Sequence, residues 1–111
     1  MKYALLNYAS AELRDIPEDQ LQSVIGEYQA ILDEPGVVNG VALQDAESAT
    51  TVRVQNGEAL LSDGPFVDAK EYLGGIYVLE ADDLDEATAI AARVPAARMG
   101  GAVEVRPILE R

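Results

Sequence analysis

Two segments of this chain are apolar at consecutive positions. One is Tyr3-Ala4-Leu5-Leu6, running into Asn7-Tyr8; the other is Gly75-Ile76-Tyr77-Val78-Leu79. In an extended strand, successive side chains point to opposite faces. Tyr3, Leu5 and Asn7 then face one way, and Ala4, Leu6 and Tyr8 the other. Strands apolar on both faces need cover on both sides. The rest of the sequence must supply it, and this limits the folds open to the chain.

Two helices are readable. Leu21, Val24, Ile25, Tyr28, Ile31 and Leu32 recur at the helical spacing and predict an amphipathic helix of about four turns. Pro17 suits its first position, Glu18 and Asp19 suit its positive end, and Pro35-Gly36 stops it. Gly26 in its middle suggests close approach to a sheet. The second helix opens on Asp83, with Glu86 three residues on as a capping box. Leu84, Ala87, Ile90, Ala91 and Val94 form its inward stripe, and Pro95 ends it. Residues 10–16 read as a polar loop, and residues 66–72 as a charged segment with room for one helical turn.

Further strands are predicted at Val37–Leu43 and at Ala102–Arg106, where Val103 and Val105 point inward. Between them Thr51–Gln55 and Glu58–Leu61 flank Asn56-Gly57, a hairpin signal because a type I′ turn needs positive φ at both central residues. The order is βαβ, an inserted β-hairpin, then βαβ. That is an α+β ferredoxin-like βαββαβ sandwich, with residues 1–111 forming a single domain. Two helices cover only one face of such a sheet. The open face is expected to meet the same face of a second copy, giving a homodimer.

Composition excludes several functions. The 111 residues contain no cysteine and no histidine, so disulfides, thiolate sites and every triad or dyad built on histidine are ruled out within the chain. Twenty acidic against eight basic residues give a net charge of −12, which repels nucleic acid and anionic membranes. No apolar run is long enough to span a bilayer, and the first residues carry no export signal; a cytoplasmic location is expected. Gly100-Gly101 lacks the spacing and lysine of a phosphate loop, and no acidic spacing matches a calcium loop. Neither metal nor cofactor is expected.

The block Asp63-Gly64-Pro65-Phe66-Val67-Asp68-Ala69-Lys70-Glu71, followed by Leu73-Gly74-Gly75, resembles the signature of the YCII-related family in its DGPF subgroup. The likeness extends through Ala49–Val54, Asp83–Ala87, Pro95–Arg98 and Val103–Pro107, hence over nearly the whole chain. It implies a dimeric ferredoxin-like α/β barrel. Some members are thought to use a His-Asp pair in a cleft, and one branch includes a dehydrochlorinase-type enzyme. That pair cannot be carried over to a chain without histidine. DGPF-type members are also associated with extracytoplasmic-function sigma factors, which implies a regulatory or accessory role with a protein partner.

The residues themselves leave two readings open at each position. Asp63 is a base or ligand acceptor beside a fixed turn, or an Asx-type turn residue. Gly64 and Pro65 are structural, and Phe66, the lone phenylalanine, is expected to plug the core below the turn rather than stack on a ligand. Lys70 and Glu71 orient a small ligand, Glu71 acting as a second acid or base, or form a solvated face. Gly74 and Gly75 let backbone approach a ligand, or mark a bulge. Arg98 holds an anion or pairs with an acid. Arg106 shares a side with Glu104 on the last strand, lining a cavity or forming a pair. Tyr8 and Tyr77 offer hydroxyls to that cavity. Two functions follow. One is binding of a small polar or aromatic-acid ligand near Asp63 at the dimer interface, with carboxylate-assisted catalysis by Asp63 or Glu71. The other is a non-catalytic module that binds a protein such as a sigma factor.

Overall fold

Strand β1 (Lys2–Ala9) lies at the heart of the structure, a computed structural model that describes residues 1–67 and 69–110. Asp68, within the signature block, and Arg111 lie outside the described residues. The chain continues through α1 (Ala11–Arg14), α2 (Glu18–Leu32) and β2 (Val37–Ala42). It then forms a short 3₁₀ turn (Ala46–Ser48), β3 (Thr50–Gln55), β4 (Glu58–Asp63) and β5 (Tyr72–Glu80). Helices α3 (Leu84–Ala91) and α4 (Pro95–Arg98) and strand β6 (Ala102–Pro107) complete it.

The order in the main sheet is β2-β5-β1-β6, all antiparallel, while β3 and β4 form a separate two-stranded sheet. Counting only the main-sheet strands, this is the ferredoxin-like arrangement of a mixed α+β chain. Register decides which face each side chain takes. Leu5 stands opposite Tyr77 and Val105, and Tyr3 opposite Leu79. These residues form the helix-covered face. Ala4, Leu6, Tyr8, Ile76 and Val78 form the other, where they are half-buried.

The core lies between sheet and helices. Leu5, Leu79, Val94 and Pro95 are fully enclosed, joined by Ile31 of α2 and by Ala87, Ile90 and Ala91 of α3. Asp83 caps α3, accepting from the Glu86 amide at 2.9 Å. The Glu86 carboxylate reaches back to the Asp82 amide, one residue earlier than a standard capping box requires.

Several sequence expectations are corrected. Residues 10–16 contain helix α1 rather than only a loop, and Pro17 is the cap of α2 rather than its first residue. Among the described residues of 66–72 there is no helical turn, and β5 begins at Tyr72, three residues before the predicted strand. Leu84 is exposed, because the stripe of α3 turns inward only from Ala87. Gly26 faces away from the sheet; a Cβ there would touch nothing within 4 Å. Phe66 does not plug the core. It is 67% exposed, and the guanidinium of Arg53 lies over its ring at 4.7 Å, since the turn at Gly64 (φ 94°) directs it outward.

Candidate functional site

Beneath α2, toward the end of the sheet nearest α1, the helix and the strands do not close. Ile25, Tyr28 and Leu32 roof a cavity of about 410 Å³. Asn7, Gly40, Gly74, Gly75 and Tyr77 line it from the sheet side, and Leu13 of α1 borders it. The exposure of Ile25 and Leu32, surprising for stripe residues, is explained by their place on this cavity. Glycine keeps the space open. A Cβ on Gly40 would lie 2.7 Å from both Leu32 Cδ2 and Tyr77 Cδ1, and one on Gly75 would lie 2.9 Å from the Val41 carbonyl oxygen.

The walls carry no formal charge. Their polar groups are few. Tyr77, on β5, donates its hydroxyl to the Tyr28 carbonyl at 2.7 Å. Burial, and secondarily the neighbouring Tyr28 phenol, push the Tyr77 hydroxyl up to about 12. Burial also raises Tyr28, partly offset by a hydrogen bond with the Ala96 backbone. Both phenols are therefore neutral donors near pH 7.

Asn7 is the exception among the lining groups. Its side chain is 5% exposed, and its Oδ1 has no hydrogen-bond partner among the described residues. Leaving a buried acceptor unpaired costs about 1–3 kcal/mol. An asparagine on the inward face of β1, between Leu5 and Ala9, breaks the apolar pattern at a point facing the cavity.

The residues singled out from sequence do not gather in one place. Gly74, Gly75 and Tyr77 line the cavity. Tyr77 thus points to the helix-covered side, not toward the open face that holds Tyr8. Asp63 ends β4, exposed, and its carboxylate has no hydrogen-bond partner among the described residues. The turn after it is held by backbone instead: the Gly64 amide donates to the Ala49 carbonyl at 2.8 Å, and Thr51 Oγ1 to the Gly64 carbonyl at 2.8 Å. Lys70 and Glu71 are exposed on a shallow depression with Ser10 and Arg14. Arg98 pairs with Glu27 of α2 at 2.6 Å, and Arg106 with Glu104 at 2.8 Å on the open face. That hydrogen bond to Glu27 raises the Arg98 guanidinium further. Asn7 was missed by sequence reasoning; its signal was a polar residue in register with Tyr3 and Leu5.

A family model described as the YCII-related domain matches residues 1–111. The chain belongs to the YCII-related domain family. An uncharacterized protein of Rhizobium meliloti (strain 1021) is 32% identical to this YCII-related domain over 114 residues, covering 97% of this chain and 92% of that protein. Among solved structures, the domain is similar to a 5-chloro-2-hydroxyhydroquinone dehydrochlorinase from Burkholderia phenoliruptrix AC1100, in complex with 2,5-dihydroxybenzoquinone. The TM-score is 0.49 at 18% identity, with 100% of this chain and 96% of that chain covered. Among the described residues no helix is long and apolar enough to cross a membrane, and no three acidic side chains cluster as a metal site would require.

Proposed function

We propose that this YCII-related domain binds a small, neutral, largely apolar molecule in the cavity beneath α2, the ligand donating a hydroxyl or N–H to Asn7 Oδ1. The unpartnered Asn7 oxygen is the observation that carries this reading. A volume of about 410 Å³ falls in the range of small-molecule sites, and apolar walls with one or two convergent polar groups are their usual composition. The absence of charge on the lining residues favours a neutral ligand over an aromatic acid, because a carboxylate there would be a buried charge without a partner. Asp63, Lys70, Glu71, Arg98 and Arg106 then lie outside the ligand site, and binding needs no carboxylate catalysis. The domain acts as a cytoplasmic homodimer joined through the open face of its sheet, and the Asp63-Gly64-Pro65-Phe66 sequence supports a place in the DGPF subgroup.

The test is thermal stability of wild type and Asn7→Leu against matched sets of neutral phenols, hydrocarbons and carboxylates. A ligand that binds only the folded state raises its stability by mass action. The expected result is a rise with phenols in wild type and its loss in Asn7→Leu. Equal shifts in both proteins, or no shift with any neutral donor, would remove this assignment.

A further inference from the structure

The β3–β4 ribbon has two unlike faces. Directly opposed residues share a side, so Val52 with Leu61 and Val54 with Ala59 form one face, with Thr50 and Asp63 at its base. Thr51 with Ser62, Arg53 with Leu60 and Gln55 with Glu58 form the other. The second face has partners within the chain: Arg53 covers the Phe66 ring, and Thr51 is tied to Gly64. The first has none. Val52, Val54 and Leu61 are 58%, 69% and 70% exposed. A lone two-stranded ribbon is marginal in water, and this one presents its aliphatic side to solvent.

The whole molecule has the same surplus. Its accessible surface is 7635 Å², whereas a compact monomer of 11.9 kDa exposes about 6,000 Å². The radius of gyration is 15.7 Å, against about 13 Å for a compact chain of this length. The excess of about 1,600 Å² is twice what each partner contributes to a standard interface, and matches a copy of an obligate homodimer.

Charge narrows the choice of partner. With a net charge of −12, two copies repel except where carboxylates are absent or paired. The aliphatic ribbon face carries one carboxylate, Asp63 at its base, and none along Val52, Val54, Ala59 and Leu61 toward its tip. On the open face of the main sheet, Ala4, Leu6, Ile76 and Val78 are flanked by ionic groups that offset one another: Glu104 with Arg106, and Lys2 opposite Glu80.

We infer that the β3–β4 ribbon is a dimerisation arm: in the homodimer proposed above, the Val52–Val54–Ala59–Leu61 face of each copy is buried on the second copy, closing over its open sheet face. The inference rests on the homodimer reading and adds the element that makes it. Sedimentation velocity at micromolar concentration compares wild type with Val54→Glu/Leu61→Glu. Wild type runs at twice 11.9 kDa, and the variant runs as a monomer with an unchanged far-ultraviolet spectrum. A monomeric wild type overturns the homodimer and the arm together. A dimeric wild type with an equally dimeric variant overturns the arm alone. Hydrogen exchange on wild type covers the case in which the variant does not fold. Amides of residues 50–63 are protected at high concentration and lose protection on dilution; protection independent of dilution refutes the arm.

Discussion

The Tyr77 hydroxyl, rising from β5, donates at 2.7 Å to the main-chain carbonyl of Tyr28 in the C-terminal half of α2. One hydrogen bond thus ties helix to sheet at the wall of the cavity. Its donor exists only while the phenol is protonated. Burial raises the folded-state value to about 12 from the ordinary 10.0, so the folded protein holds this proton more tightly than the unfolded chain. The contribution is complete below pH 10 and is lost as pH rises toward 12, because there the unfolded state binds fewer protons. Melting temperature is expected to fall across that window, with phenolate absorbance rising in step. Tyr77→Phe lacks the donor and is less stable at neutral pH, by about 1 kcal/mol, with a shallower decline above pH 10.

Asn7 provides the opposite case, a polar group that weakens the fold it sits in. Replacing it with leucine removes an unpaired buried acceptor and adds apolar contact. Asn7→Leu is expected to gain about 1 kcal/mol in urea unfolding while losing the ligand. A destabilised Asn7→Leu would mean that Oδ1 already has a partner in the folded protein.

Two glycines give a paired prediction. Gly26 faces solvent in the interior of α2, and a Cβ there would meet nothing; Gly26→Ala is expected to stabilise by about 1 kcal/mol through helix propensity. A Cβ on Gly101 would sit against the backbone carbonyl oxygens of Tyr8 and Ala96, neither of which rotates away. Gly101→Ala is expected to cost about 3 kcal/mol. Chemical denaturation of both variants against wild type measures the contrast.

Asp83 caps α3 through the Glu86 amide, and α3 places Ala87, Ile90 and Ala91 in the core. Asp83→Ala is expected to cost about 1 kcal/mol, read as a drop of about 4 °C or more in Tm. Asp83→Asn retains an acceptor for the amide and should recover most of the loss.

These residues also mark what the sequence made legible. The helical period at Leu21–Leu32, the cap at Asp83 and the positive φ of Asn56 and Gly57 are local, and local chemistry is written locally. Tyr77 was harder to orient. Both faces of β1 and β5 are apolar, so alternation separates the faces without saying which lies under the helices; only the pairing of Leu5 with Tyr77 decides it. The cavity was invisible for a related reason. It is a gap between α2 and the sheet, set by how far two elements stand apart, and its floor is three glycines from two strands. Asp63 stands out because its neighbours are distinctive, but Gly64 and Thr51 hold that turn through the backbone of Ala49 and Gly64, and among the described residues its carboxylate takes no part in it.

Strand β1 hydrogen-bonds to β5 and β6, and β2 to β5. No strand of the first half of the chain has a main-sheet partner within that half. On a ribosome, β1 and β2 therefore emerge with their strand edges unpaired, and only β3 and β4 can pair as they appear. The sheet assembles when β5 arrives and joins β1 to β2 at once. Contacts this distant in sequence make folding slow, and the interval before β5 is complete is when the nascent chain has most need of a chaperone.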